Sequence, residues 1–228
     1  MVLYGKVDIT DLAGTTRTLG SENRGYHYSG IYGEADTMTL FVNDKDRTYV
    51  NYYEPGSKII LYSDTNPTPT TKVFRGIIET VSERIMNKQR TLQIEATELF
   101  YLMLINRVIF EDYREKLPSD ILIDLVSGNL VGFNTSNVQA SPKKVEQMTF
   151  VGQYLLDAFD ICSDMDVYQY FCDPDLNIFY YPQNTRSSTI RLTQSDIHGE
   201  LAIARTIKPM KTRIKIVGSD SIDLDQEQ

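Results

Sequence analysis

The stretch Val73-Phe74-Arg75-Gly76-Ile77-Ile78-Glu79-Thr80-Val81, followed across Asn87-Lys88-Gln89 by Leu92-Gln93-Ile94-Glu95-Ala96, decides the fold class. In the first arm Val73, Ile77, Val81 and Ile85 alternate with Phe74, Ile78 and Thr80. In the second, Leu92, Ile94 and Ala96 alternate with Thr91, Gln93 and Glu95. Successive strand side chains point to opposite faces, so the pattern predicts an antiparallel hairpin with one face buried along most of its length. Gly76 interrupts the first arm, where a missing side chain permits a bulge or a close backbone approach. Taken alone, this hairpin fits any antiparallel barrel or sandwich.

Working outward, residues 1–98 consist of short alternating segments separated by turn clusters at Gly30–Glu34, Asn43–Arg47, Asp64–Thr71 and Asn87–Gln89, a spacing expected of a small β-barrel or sandwich. The polar, proline-bearing Asp64–Thr71 is expected to be an exposed loop. From Thr97 the alternation stops, and Leu99, Phe100, Leu102, Met103 and Leu104 predict a short buried helix. Pro118–Asn129 reads as a helix: Ser119 supplies capping chemistry, Ile121, Leu122, Leu125 and Val126 share a face, and Gly128-Asn129 supplies the stop. A second helix is expected over Phe150–Met165, capped by Thr149, because Val151, Tyr154, Leu155, Ala158, Phe159 and Cys162 recur at intervals of three and four. Val131–Gln147 is expected to hold a strand flanked by loop. A hairpin follows at Asp166–Pro182, then strands at Thr189–Thr193, Leu201–Ile207 and Arg213–Val217, and a frayed acidic end. The expected class is α+β, mostly β. The division is a barrel-like domain over 1–98, an α+β domain over 99–200, strands over 201–218 that return to the barrel or start a second one, and a tail over 219–228.

Bulk chemistry narrows the function. The 228 residues include 15 Tyr and 9 Phe but no Trp, a composition that favours strands. A net charge of −8 repels polyphosphate and argues against stable nucleic-acid binding. No run of 18 apolar residues exists, and Met1-Val2-Leu3-Tyr4-Gly5-Lys6 lacks the charged head and apolar core of a signal peptide, so folding in the cytosol is expected. Cys162 and Cys172 read as core thiols. With His27 and His198 far apart in sequence, no metal site is expected.

No catalytic or cofactor-binding residue emerges. Asp173-Pro174-Asp175-Leu176-Asn177 starts like a calcium loop, but Ile178 stands where glycine is needed and Asn184 where a bidentate glutamate is needed, so a hairpin turn is the better account. Glu95, Glu98, Glu111 and Asp112 provide acid neighbours of the kind glycosidases pair, yet 31 acidic residues make such neighbours by chance. Lys143-Lys144 reads as a solvated turn. Tyr52-Tyr53 and Tyr180-Tyr181 could offer aromatic faces to a partner or a sugar, or belong to half-buried strands.

The order of motifs resembles the tail or baseplate hub proteins of tailed bacterial viruses and related contractile injection machines, of the tail protein D type. The residues that carry the resemblance are Val7–Asp11, Thr37–Asp44, Pro55–Tyr62, Phe74–Ile78 and Leu92–Ala96 for the first domain. Leu117–Leu122 and Val151–Leu156 match its next helices, Val167–Phe171 with Asp173–Ile178 its hairpin, and Thr212–Gly218 the strand entering a second barrel. The resemblance implies a non-enzymatic virion protein of the tail, assembled in the host cytoplasm. It also implies a ring of copies, a trimer in that family, contacting tail tube and tail-tip proteins. The second barrel would need more strands than follow Thr212–Gly218, which leaves the remainder to a longer chain, a different unit or another polypeptide. A carbohydrate- or receptor-binding module using the tyrosines and the long polar loop, and a peptidoglycan hydrolase, are the competing expectations.

Overall fold

The computed structural model describes residues 4–20, 23–29, 35–44, 53–86, 89–183, 185, 213–217 and 223–227. The chain divides into two compact units, Met1–Thr185 and Arg186–Gln228.

The first unit opens with seven strands: β1 Tyr4–Thr10, β2 Thr16–Thr18, β3 Asn23–Ser29, β4 Thr37–Asn43, β5 Lys58–Asp64, β6 Lys72–Met86 and β7 Gln89–Glu98. They form one sheet in the order β2-β1-β5-β6-β7-β4-β3, with every pairing antiparallel. One face carries the core: Val7 and Ile9, Met38, Leu40 and Val42, Ile59 and Leu61, Phe74 and Ile78, and Leu92, Ile94 and Ala96. A sheet with one apolar face must cover it, and here the sheet does so by curling on itself. The ring of Tyr28 on edge strand β3 lies 5.8 Å from that of Phe74 on β6. Across the roll, a side chain added to Gly5 of β1 would meet the Tyr26 hydroxyl of β3 at 3.0 Å.

The expected hairpin is β6–β7, and its irregularities are specific. Ile78 pairs with Ala96 but Thr80 with Glu95, so Glu79 is the extra residue of a bulge. That insertion shifts the phase: Phe74 and Ile78 before it and Val81 after it all pack on the core, while Ile85 is exposed. Gly76 is the site of close approach and not of the bulge. A Cβ there would stand 2.5 Å from both the Phe74 ring and the Thr97 carbonyl oxygen. The Asp64–Thr71 loop is organised by Asp64, whose two oxygens accept the backbone N–H groups of Asn66 and Thr70.

The rest of the unit comprises α1 Leu99–Ile105, β8 Val108–Lys116, α2 Pro118–Asn129, β9 Asn134–Val138, β10 Val145–Tyr154, α3 Leu155–Asp166, β11 Tyr168–Cys172 and β12 Asn177–Pro182. Strands β8 and β10 make an antiparallel ribbon, and β11-β12-β9 a three-stranded sheet. A second apolar cluster, built on Phe100, Leu104, Ile121, Leu122, Leu125, Phe159 and Tyr180, joins the helices to these strands. Helix α2 occupies the expected span, with Pro118 in the first turn. Ser119 does not cap it. Its backbone N–H donates to Ser141 Oγ at 2.7 Å, and Ser119 Oγ accepts from the Ser141 N–H at 3.0 Å, stitching the helix start to the loop before β10.

Helix α3 begins five residues later than the periodicity predicts. Phe150–Tyr154 belongs to β10 because β8, a strand the sequence reading passed over, offers it a partner edge: Phe150 pairs with Glu111 and Val151 with Phe110. Thr149 is therefore a strand residue. The cap is Tyr154, whose backbone N–H donates to Asp157 Oδ2 at 3.1 Å.

In the second unit, β13 Arg213–Val217 pairs antiparallel with β14 Asp223–Glu227. The expected frayed end is thus a strand over Asp223–Glu227. Pairing depends on a partner edge that local composition does not display. The strands expected at residues 189–193 and 201–207 lie outside the described residues.

Candidate functional site

Two features of the first unit stand out: a cleft between the curled sheet and the β11–β12 hairpin, and the outer face of the β8–β10 ribbon. The cleft encloses about 200 Å³ and is walled by Phe74, Phe100, Phe171 and Leu176. Its polar members include Tyr28, Asp36, Arg75, Glu98 and Asp173. Glu98 ends β7 and immediately precedes α1, so the junction of the two halves fixes its position. Its backbone N–H donates to the Asp36 carbonyl at 2.9 Å. Burial, and then the neighbouring Asp36 charge, raise the Glu98 carboxyl to about 7. The Tyr28 hydroxyl donates to Asp36 Oδ2 at 2.6 Å, and burial pushes that phenol up. Arg75 Nη1 donates to the Pro174 carbonyl at 3.3 Å, and Lys72 pairs with Asp175, so two cations of β6 hold the hairpin turn.

Two carboxyls, one of them titrating near neutrality, are the raw material of general acid–base chemistry. The cleft is nevertheless smaller than the 300–1,000 Å³ usual for small-molecule sites, and Tyr28 already occupies an Asp36 oxygen. Sequence reasoning named Glu98 among chance neighbours and missed Asp36, which lies 62 positions earlier in the sequence and meets it only because β4 pairs with β7. The other acids go elsewhere. Glu95 accepts from Gln93, and Asp112 sits on β8, where Thr149, Gln147 and Arg114 hydrogen-bond it and hold its carboxyl below the usual range.

The tyrosines read as contact surfaces require correction. Tyr53, Tyr180 and Tyr181 are all buried, and Tyr52 lies outside the described residues. Tyr180 is a core residue. Its hydroxyl lies 2.7 Å from Asp166 Oδ2 and 2.8 Å from the Cys162 carbonyl, and burial leads the causes that raise it. Ile178 and Tyr180 of β12 pack with the helices, and the pleat turns Phe179 and Tyr181 to the other face, against Phe171. Both cysteines are free thiols, Cys162 buried and Cys172 partly so, and burial raises both. Among the described residues no group of three His, Cys, Asp or Glu side chains could hold a metal ion. Asp173 makes a turn: Oδ1 accepts the N–H groups of Asp175 and Asn177 at 3.0 and 2.9 Å. No described helix is long and apolar enough to cross a membrane.

On the ribbon, Ile109, Tyr113, Met148 and Phe150 point into the core, and the alternate residues point out. The outward rows pair Val108 with Tyr154, Phe110 with Val151, Asp112 with Thr149 and Arg114 with Gln147. Phe110 is 70% exposed, Val151 71%, Tyr154 52% and Val108 49%. Gly152, in the left-handed region at φ 71°, makes the bulge that keeps Tyr154 opposite Val108.

No protein-family model and no curated protein matches this sequence. Solved structures do. The tail protein from Neisseria meningitidis MC58 aligns with 99% of this chain and 68% of its own length, at a TM-score of 0.65 and 12% identity. The prophage tail protein gp18 from Listeria monocytogenes EGD-e aligns with 97% and 67%, at 0.64 and 13%. The 43 kDa tail protein of prophage MuSo2 from Shewanella oneidensis aligns with 98% and 68%, at 0.62 and 10%. At these identities the likeness is one of fold: this chain has the architecture of those tail proteins, mostly β with a smaller helical part.

Proposed function

We propose that this chain is a structural component of a viral tail tip or baseplate hub, joining the tail tube to the distal tip or puncturing device. The observation that carries the reading is the curled seven-stranded sheet running into the helix-and-ribbon half, a fold that aligns over nearly the whole chain with the three tail proteins. Its work is geometric and non-catalytic. Copies close into a ring, a trimer on the family resemblance, and contact tube and tail-tip proteins. The protein resides in the virion tail after assembly in the host cytoplasm.

A net charge of −8 suits a wall past which DNA moves, because no phosphate contacts release counterions and hold it. Particle mass in solution followed by imaging tests the reading. Rings that stack on tail-tube protein are the expected result. Absence of rings both alone and with tube protein would overturn it. A receptor- or carbohydrate-binding module loses the tyrosine part of its support with the burial of Tyr53, Tyr180 and Tyr181 and keeps the exposed Asp64–Thr71 loop. As for a peptidoglycan hydrolase, among the described residues Asp36 and Glu98 are two carboxyls that share a cleft, and a cell-wall turbidity assay is expected to show no clearing.

A further inference from the structure

We propose that the turn Asp173–Leu176 of the β11–β12 hairpin is a latch on the curled sheet, closed over the cleft while Glu98 carries its proton and released when that carboxyl is charged. Two cations of β6 grip the turn: Lys72 pairs with Asp175, and Arg75 Nη1 donates to the Pro174 carbonyl at 3.3 Å, long for an N–H···O contact. Leu176 closes it from within, lining the cleft with Phe74, Phe100 and Phe171. It does so at φ 67°, the left-handed region that a leucine adopts only where its surroundings impose it. The turn keeps its own shape through Asp173, whose carboxylate accepts from the backbone N–H groups of Asp175 and Asn177 and from Asn177 Nδ2. It is a preformed unit, seated on the sheet by few contacts.

The groups that share the cleft with Glu98 come from every element around it: Tyr28 from β3, Asp36 from the segment before β4, Arg75 from β6, Cys172 from β11 and Asp173 from the turn, while α1 contributes the uncharged Leu99 and Phe100. The Glu98 charge reaches across this space. After burial it is the leading cause that raises the Cys172 thiol, and it adds to burial and Asp36 in raising the Tyr28 phenol. Tyr28 gives its proton to Asp36, and the N–H groups of the turn serve Asp173, so among the described lining residues Arg75 is the one cation left to neutralise an ionised Glu98. While Glu98 is protonated no such demand exists, and Arg75 holds Pro174. A charged Glu98 is relieved by drawing Arg75 off the Pro174 carbonyl or by opening the cleft to water, and either event frees the turn. Burial and the Asp36 charge raise the carboxyl from 4.5 to about 7 in the closed cleft, and opening returns it toward 4.5. Closure is therefore favoured fully below 4.5 and loses that advantage as pH rises through 7, a swing of at most about 300-fold in the opening equilibrium.

Peptide-resolved amide hydrogen exchange of the full chain tests the latch, corrected for the intrinsic pH dependence of exchange and repeated in dilute urea. Between about pH 5 and pH 8.5 the protection of residues 173–177 is expected to fall by about fivefold or more in the wild type, with the weak urea dependence of a local opening. Glu98→Gln is expected to keep its protection throughout. Asp36→Asn, which keeps an acceptor for Tyr28 and removes a charge that raises Glu98, is expected to move the loss to lower pH. If Glu98→Gln fails to fold, the Asp36→Asn shift decides. Constant protection in the wild type, an equal loss in folded Glu98→Gln, or an unmoved profile in Asp36→Asn overturns the proposal. So does a loss with the same urea dependence as Leu92–Ala96 of β7, because the turn then opens only with the whole fold.

Discussion

The two halves of the first unit solve the burial problem differently. The curled sheet of residues 4–98 packs one apolar face against itself, and its precision lies in the backbone: a bulge at Glu79, a bare Cα at Gly76, and another at Gly5 beneath Tyr26. The half that follows covers small ribbons with helices, and side-chain polar contacts inside its core specify the arrangement. There Tyr180, Asp166 and Ser141 form a connected set, and Ser141 reaches on to Ser119 at the start of α2. A rolled sheet tolerates changes in side-chain chemistry but not in backbone clearance, whereas a helix-covered ribbon is sensitive to losing a single hydroxyl.

Gly76→Ala strikes the comparison hardest. The added Cβ would lie 2.5 Å from a main-chain oxygen that cannot rotate away, so β6 and β7 must separate. A loss of about 3 kcal/mol or more is expected by urea denaturation. A loss below 1 kcal/mol would show that backbone clearance does not govern the sheet.

The seam between the halves should respond to pH through Glu98. Its folded-state value is raised from 4.5 to about 7, so the stability it contributes is fully present below 4.5 and is lost as pH rises through 7. Glu98→Gln, which has no such proton to lose, is expected to be more stable than the wild type at pH 8 by about 2 kcal/mol, with the gap closing near pH 4.5. Parallel stability–pH curves for the two proteins would refute this.

Tyr180→Phe tests the polar core of the second half. The hydroxyl's single proton serves either the Cys162 carbonyl or Asp166 Oδ2, and removing it leaves one of those buried acceptors short of a donor, for an expected loss of about 1.5 kcal/mol. The corresponding change in the sheet, Tyr26→Phe, should cost under about 0.5 kcal/mol, because Tyr26 is 39% exposed. Equal losses would erase the distinction between the halves. Smallest is Gly5→Ala, where the group in the way is the tip of the Tyr26 side chain and can swing aside; a fall in Tm of about 2 °C or less is expected.

Sequence alone determined the strands whose alternation matched their burial, the class they make, and helix α2 from Pro118 to Asn129, because period and punctuation are local properties. It also made Asp173 a turn former, since an aspartate that caps its own downstream N–H groups needs no distant partner. Tertiary structure decided what depends on a neighbour far along the chain. Phe150–Tyr154 carries a helical stripe yet becomes strand because β8 lies alongside; Asp36 meets Glu98 because β4 pairs with β7; Tyr53, Tyr180 and Tyr181 are core because of what covers them. Local pattern sets which conformations are inexpensive, but burial and edge pairing are long-range energies, and they settled the start of α3, the fate of the tyrosines and the exposed face of the ribbon.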